Sequence, residues 1–141
     1  MKIKDIITHE PHCIGPEATL MEAADDMKNL DVGMLPVCKD DELIGAVTDR
    51  DIAVRGIADG CDPKTTLVRD VMSRVVAYCF EDQDVKEAAE IMEKNRIRRL
   101  PVLDRRQQVV GIVSLGDMAI RTKDSDMANR ILARVSEPAG D

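Results

Sequence analysis

The chain has 141 residues, 44% hydrophobic and 33% charged, a length and balance that support a folded core and do not fit a disordered segment. A net charge of −7 and only two aromatic residues, Tyr78 and Phe80, argue against a nucleic-acid partner. The longest apolar run, Val75 to Phe80, falls far short of the roughly 20 residues that span a bilayer, and charge interrupts the opening Met1 to Glu10. The expectation is a cytoplasmic protein with no membrane partner.

In chain order, a short apolar segment at Cys13-Ile14 precedes a helix with Leu20, Ala23, Ala24, Met27 and Leu30 at helical spacing. Thr19 and Glu22 form a capping-box pattern at its start. Two strands follow, Met34 to Cys38 and Leu43 to Val47, joined by the polar turn Lys39-Asp40-Asp41-Glu42. A short helix begins near Asp49, and Gly56 to Leu67 reads as a linker. The order then recurs. Val75 to Phe80 precedes a helix opened by Asp84 and Glu87 and carrying Val85, Ala88, Ala89 and Met92. Strands Leu100 to Leu103 and Val109 to Val113 come next, then a helix from Leu115. A last segment, Ser125 to Glu137, places Met127, Ile131, Leu132 and Val135 on one side, as a helix packing on its own domain would; a docking helix for a partner or a second copy is the alternative.

This is an internal duplication. Residues 4–38 align with 69–103, and 43–55 with 109–121, giving 13 identities in 48 pairs. Average residue usage would give roughly three. The reading is an α+β fold of two β-α-β-β-α repeats, at residues 1–60 and 61–122, with a C-terminal helix and tail at 123–141. A unit of this size is marginal alone, so two copies packed together account for the duplication.

Leu35-Pro-Val followed by Leu43-Ile-Gly-Ala-Val-Thr-Asp-Arg-Asp-Ile, and Leu100-Pro-Val followed by Val109-Val-Gly-Ile-Val-Ser-Leu-Gly-Asp-Met, resemble tandem CBS (cystathionine β-synthase) domains. Lys4-Asp-Ile-Ile-Thr and Arg69-Asp-Val-Met-Ser fit the same pattern. The likeness covers residues 4–121 and is nearest to a stand-alone CBS pair. It implies pseudo-twofold packing with clefts between the repeats, a regulatory adenosine-containing ligand such as AMP, ADP, ATP or NAD, and a homodimer.

The residues themselves offer a physical counterpart. Thr48-Asp-Arg-Asp51 and Ser114-Leu-Gly-Asp117 each place a hydroxyl and a carboxylate at a strand-to-helix junction. A carboxylate can accept from both hydroxyls of a ribose, while a hydroxyl and free helix N–H groups suit a phosphate. The same spacing is also a helix cap that needs no ligand. Five of twelve arginines are Arg96, Arg98, Arg99, Arg105 and Arg106. Arg98 and Arg99 match a family position whose basic residues often reach nucleotide phosphates, a role that suits the planar guanidinium. Arg105 and Arg106 read as charged guards of a strand edge. The first repeat has Gly33-Met34 in place of Arg98-Arg99, and Arg50 stands where the second has Gly116, so two unequal clefts are expected. By position in the family pattern, Ile14, Met34, Val37, Ala46, Val76, Val102 and Ile112 are candidates to wall a base, against a plain core reading of each.

Cys13, Cys38, Cys61 and Cys79 form no CxxC pattern, and no metal site is expected. In the proposed fold Cys13 and Cys38 lie on neighbouring strands, so a disulfide is geometrically open to them, although free thiols are the cytosolic default. His9 and His12 flank Pro11 and read as loop residues. No nucleophile, base or Gly-rich phosphate loop is present, so the expected function is non-enzymatic signal transduction with no required cofactor. The alternative is a redox-responsive or protein-interaction scaffold that binds no nucleotide.

Overall fold

The computed structural model describes residues 1–7, 12–74, 77–122 and 125–136. The chain divides into two compact units, His12–Val76 and the combination of Met1–Pro11 with Ala77–Asp141. The mixed α+β class is as expected.

In the first unit, α1 (Leu20–Leu30) leads into β1 (Met34–Lys39) and β2 (Glu42–Thr48). Thr19 caps α1 by accepting from the Glu22 N–H at 3.2 Å, and Asp31 ends it in the left-handed region at φ 55°. The hairpin loop is the two residues Asp40 and Asp41, both at positive φ, as a type I′ turn demands. Next come α2 (Asp49–Asp51) and a π-helical stretch, Ile52–Ile57. The helical run therefore passes through Gly56, where the sequence suggests a linker. The reason is packing: a Cβ on Gly56 would come within 2.7 Å of Leu20, so the missing side chain lets this stretch seat against α1. A two-residue strand, β3 (Ser73–Arg74), pairs antiparallel with β2 and completes a sheet ordered β1-β2-β3.

The second unit repeats the plan. β4 (Cys79–Phe80) runs parallel to β5 (Arg99–Leu103), which pairs antiparallel with β6 (Val109–Ser114). Between them α3 (Val85–Asn95) opens at Asp84 and ends at Arg96, again left-handed. Asp84 accepts from the Lys86 N–H, and Glu87 takes the Gln83 side-chain amide at 2.6 Å, so the expected reciprocal box does not close. After α4 (Leu115–Arg121), α5 (Ser125–Val135) packs on α3 and α4. Its Met127 and Ile131 enter the core, while Leu132 faces solvent.

The openings of the repeats are exchanged. Ile3, Ile6 and Ile7 bury in the core of the second unit, and Val68 and Val71 in that of the first. Matching hydrogen bonds hold both. Ile3 N–H donates to the Gln83 carbonyl and Val85 N–H to that of Met1; Val68 N–H donates to the Ala18 carbonyl and Leu20 N–H to that of Thr66. The sequence alone suggests a boundary after residue 60, whereas the compact units follow this exchange.

Candidate ligand site

Both hydroxyl–carboxylate motifs sit at the junction from the second hairpin strand to a helix, and each forms a reciprocal capping box. Thr48 Oγ1 accepts from the Asp51 N–H at 3.0 Å, and Asp51 Oδ2 accepts from the Thr48 N–H at 3.0 Å. Ser114 Oγ accepts from Asp117 N–H at 3.0 Å, and Asp117 Oδ2 from Ser114 N–H at 2.9 Å. The capping chemistry is thus realised twice. It uses one carboxylate oxygen and one hydroxyl lone pair per motif; Oδ1 of each aspartate and the hydroxyl protons have no partner among the described residues. All four residues are half-buried.

A second repeated bond fixes each helix start. Asp49 N–H donates to the Gly33 carbonyl at 3.0 Å, and Leu115 N–H to that of Arg98 at 2.8 Å. The residue that follows each carbonyl then pairs directly with the motif hydroxyl residue: Met34 with Thr48, and Arg99 with Ser114. Cross-strand partners share a face, so the second unit sets an arginine beside its hydroxyl–carboxylate motif where the first has a methionine.

Arg98 and Arg99 do not act as one cluster. Arg98 donates to Ser136 Oγ at 3.4 Å, just past α5, whereas exposed Arg99 lies in the strand register opposite Ser114. The sequence places Ser136 in the last segment but gives no sign of this contact, since α5 has no counterpart in the first repeat. Arg105 grips Asp82 through two hydrogen bonds of 2.8 and 2.9 Å and lies 4.2 Å from the centre of the Phe80 ring. That guanidinium holds the Asp82 carboxyl below the usual carboxylate range. Arg50 is exposed, and a Cβ at its counterpart Gly116 would meet only Ser114 Oγ at 3.6 Å, so space does not dictate that difference.

The base-wall candidates fall into two groups. Ile14, Val37 and Val102 lie in the cores, and Met34 is also buried. Ala46 and Ile112 are half-buried, each two residues before its motif hydroxyl and therefore on the same strand face. Pro36 and Pro101 stand opposite them. Val76 lies outside the described residues, as does His9.

His12 pairs with Asp26, Nε2 to Oδ2, at 2.8 Å. Cys38 Sγ donates to Cys13 Sγ at 2.8 Å, and burial together with the neighbouring thiol pushes the Cys38 pKa up to about 12. Burial alone does the same to Cys79, which occupies the core position of Ile14 in the second repeat. Among the described residues, no three His, Cys, Asp or Glu side chains stand close enough to share a metal ion. No helix among them is long and apolar enough to cross a membrane.

Comparison with known proteins agrees with this fold. The CBS domain family matches residues 3–55 and 68–121, and the chain belongs to that family. It is 37% identical over 134 residues to the CBS domain-containing protein YhcV of Bacillus subtilis, covering 95% of this chain and 94% of that one. A crystal structure of hypoxic response protein I with two coordinated zinc ions superposes with a TM-score of 0.76 at 35% identity, covering 86% of this chain and 98% of that one. The CBS domain pair of protein MJ0100, solved with 5-methylthioadenosine and S-adenosyl-L-methionine, gives a TM-score of 0.76 at 28% identity, covering 89% and 98%.

Proposed function

We propose that this chain is a non-enzymatic regulatory CBS pair that binds an adenosine-containing ligand through its two hydroxyl–carboxylate motifs. Asp51 and Asp117 receive ribose hydroxyls on Oδ1, the oxygen the cap does not use. Thr48 and Ser114 donate their hydroxyl protons to phosphate or its equivalent. Ala46 and Ile112, with Met34, Ile14, Val37, Val76 and Val102 as further candidates, wall the base. The observation that carries the reading is the duplicated capping box with the same acceptor and donor left over in each copy. The ligands of MJ0100 support the choice of an adenosine compound. Arg99, paired with Ser114, makes the second motif the better phosphate site; Arg98 and Arg50 serve as outer cations. Assembly of two copies belongs to the same reading, and sedimentation equilibrium tests it.

Thermal unfolding against AMP, ADP, ATP, NAD and S-adenosylmethionine tests the ligand. A compound at 100 times its Kd stabilises by about 2.7 kcal/mol, raising the midpoint by several degrees. Asp51→Asn and Asp117→Asn keep a carbonyl oxygen for the cap but remove the charge and one acceptor. The shift is expected to vanish in at least one variant while the ligand-free midpoint holds. An equal shift in the wild type and both variants would leave these residues as caps only. No shift with any compound would favour the interaction scaffold.

A further inference from the structure

The hydrogen-bond pattern of the first unit brings two thiols together at a point where the second unit has none. Ile14 forms a parallel bridge with Val37: its N–H donates to the Pro36 carbonyl at 2.9 Å, and its own carbonyl accepts from the Cys38 N–H at 3.0 Å. Side chains alternate along extended backbone, so with Ile14 and Val37 buried in the core, Cys13 and Cys38 emerge together on the opposite face. Their sulfurs stand 2.8 Å apart. A disulfide needs about 2.05 Å, so closure asks less than about 1 Å of sulfur movement. A bulge at Val37/Cys38 loosens the strand at this point. Cys13 is exposed, and Cys38 is partly so.

The same positions in the second repeat are Tyr78 and Leu103. Both units carry the bulge, so the backbone that supports the thiols is common to both while the thiols are not. Cys79, buried and 3.8 Å from the Pro101 carbonyl, has no thiol beside it, and the Cys61 thiol forms no hydrogen bond among the described residues.

We infer that Cys13 and Cys38 are a reversible oxidation site, a dithiol that small disulfide oxidants convert to an intramolecular disulfide within the first unit. The exposed Cys13 thiolate attacks one sulfur of the oxidant, and the other leaves as a thiolate with the bonding pair. The Cys38 thiolate then displaces the remaining oxidant sulfur from Cys13. The protein loses two protons and two electrons, and the oxidant disulfide becomes two thiols. Burial and the adjacent thiol keep Cys38 protonated in the reduced state, which makes Cys13 the entry point and Cys38 the resolving group.

The test uses the full-length chain equilibrated with oxidised and reduced glutathione at graded ratios, then acid-quenched. Free-thiol titration and intact mass are read alongside peptide mapping. The expected result is loss of two of the four thiols and of two hydrogen masses, with one peptide pair linking Cys13 to Cys38. Dithiothreitol should restore both thiols, and the oxidised form should unfold several degrees higher than the reduced form. Cys38→Ser should accumulate a glutathione adduct on Cys13 that the wild type does not. A persistent adduct in the wild type, a link through Cys61 or Cys79, a disulfide between two chains, or four thiols retained at oxidising ratios would each overturn the assignment. Because Cys13 is exposed, Cys13→Ser provides a folded control, and it should lose the oxidation while keeping the reduced-state midpoint.

Discussion

Ala24 of α1 and Ala89 of α3 are the same residue at the same place in two copies of one repeat, yet Ala24 is exposed and Ala89 is buried. The difference is α5. In the second unit that helix packs along α3 and adds Met127 and Ile131 to the core; within the first unit, α1 packs on β1 and the π-helical stretch. A duplicated sequence therefore does not give duplicated burial. The interiors diverge through an added helix and through Cys79, which stands where the first unit has Ile14. They diverge also in Arg99, exposed where its counterpart Met34 is buried, and at the surface through the thiol pair. What stays constant is the hydrogen bonding: the exchanged openings, the capping boxes at Thr48 and Ser114, and the bonds from Asp49 and Leu115 that start the helices.

Breaking what makes the second unit different should have the largest effect. Ile131→Ala leaves a cavity at a fully buried site and should cost about 2–5 kcal/mol, read as a lower denaturant midpoint. Hydrogen exchange should then show protection falling in α3 and α4, with α1 retaining its own. Ile3→Ala should match it in size and in location, although residue 3 opens the first repeat; loss of protection in α1 instead would contradict the exchange of openings.

Next is the alkaline response. Burial raises the Cys79 thiol to about 12, so the unfolded chain loses that proton near pH 9 while the folded chain keeps it. The stability this supplies is complete below pH 9 and falls by about 1.4 kcal/mol per pH unit as pH rises toward 12. Cys79→Val, which brings the site closer to the Ile14 of the first unit, should remove the Cys79 share of the fall in urea titrations across that range and leave the share of Cys38, which is raised in the same direction. A smaller effect belongs to the first unit. A Cβ on Gly45 would meet the Ser73 carbonyl oxygen at 2.6 Å, so Gly45→Ala should cost about 1–3 kcal/mol and release β3 from β2. The smallest change is a gain. Asp31 holds φ 55° at the end of α1, a conformation glycine accepts freely, and Asp31→Gly should stabilise by about 1 kcal/mol or less in thermal unfolding.

Much of this organisation was legible in the residues. The apolar spacing of Leu20, Ala23 and Met27 gave α1, Asp40-Asp41 between two apolar runs gave a hairpin, and the repeat gave the second copy of each. The exchange of openings was not legible. Ile3, Ile6 and Ile7 are as apolar as Val68 and Val71, and periodicity reports that a residue is buried without saying against which partner. The two-residue β3 carries too little pattern to register. Neither α1 nor α3 closes its reciprocal box: Thr19 accepts from the Glu22 N–H without a return bond from the Glu22 carboxylate, and Glu87 takes the Gln83 amide. At the candidate site the sequence placed hydroxyl and carboxylate together correctly. The separation of Arg98 from Arg99 required the structure, since Arg98 lies in the bend before β5 and bonds Ser136 whereas Arg99 is the first residue of the strand.

The most direct measurement of the ligand reading is titration calorimetry of AMP, ATP and S-adenosylmethionine into the wild type and the double variant Asp51→Asn/Asp117→Asn. At least one compound should bind the wild type, and the double variant should lose at least tenfold in affinity while its ligand-free unfolding midpoint stays close to that of the wild type. Equal affinity in the two proteins, or no binding by any of the three compounds, would contradict a nucleotide-sensing role for these motifs.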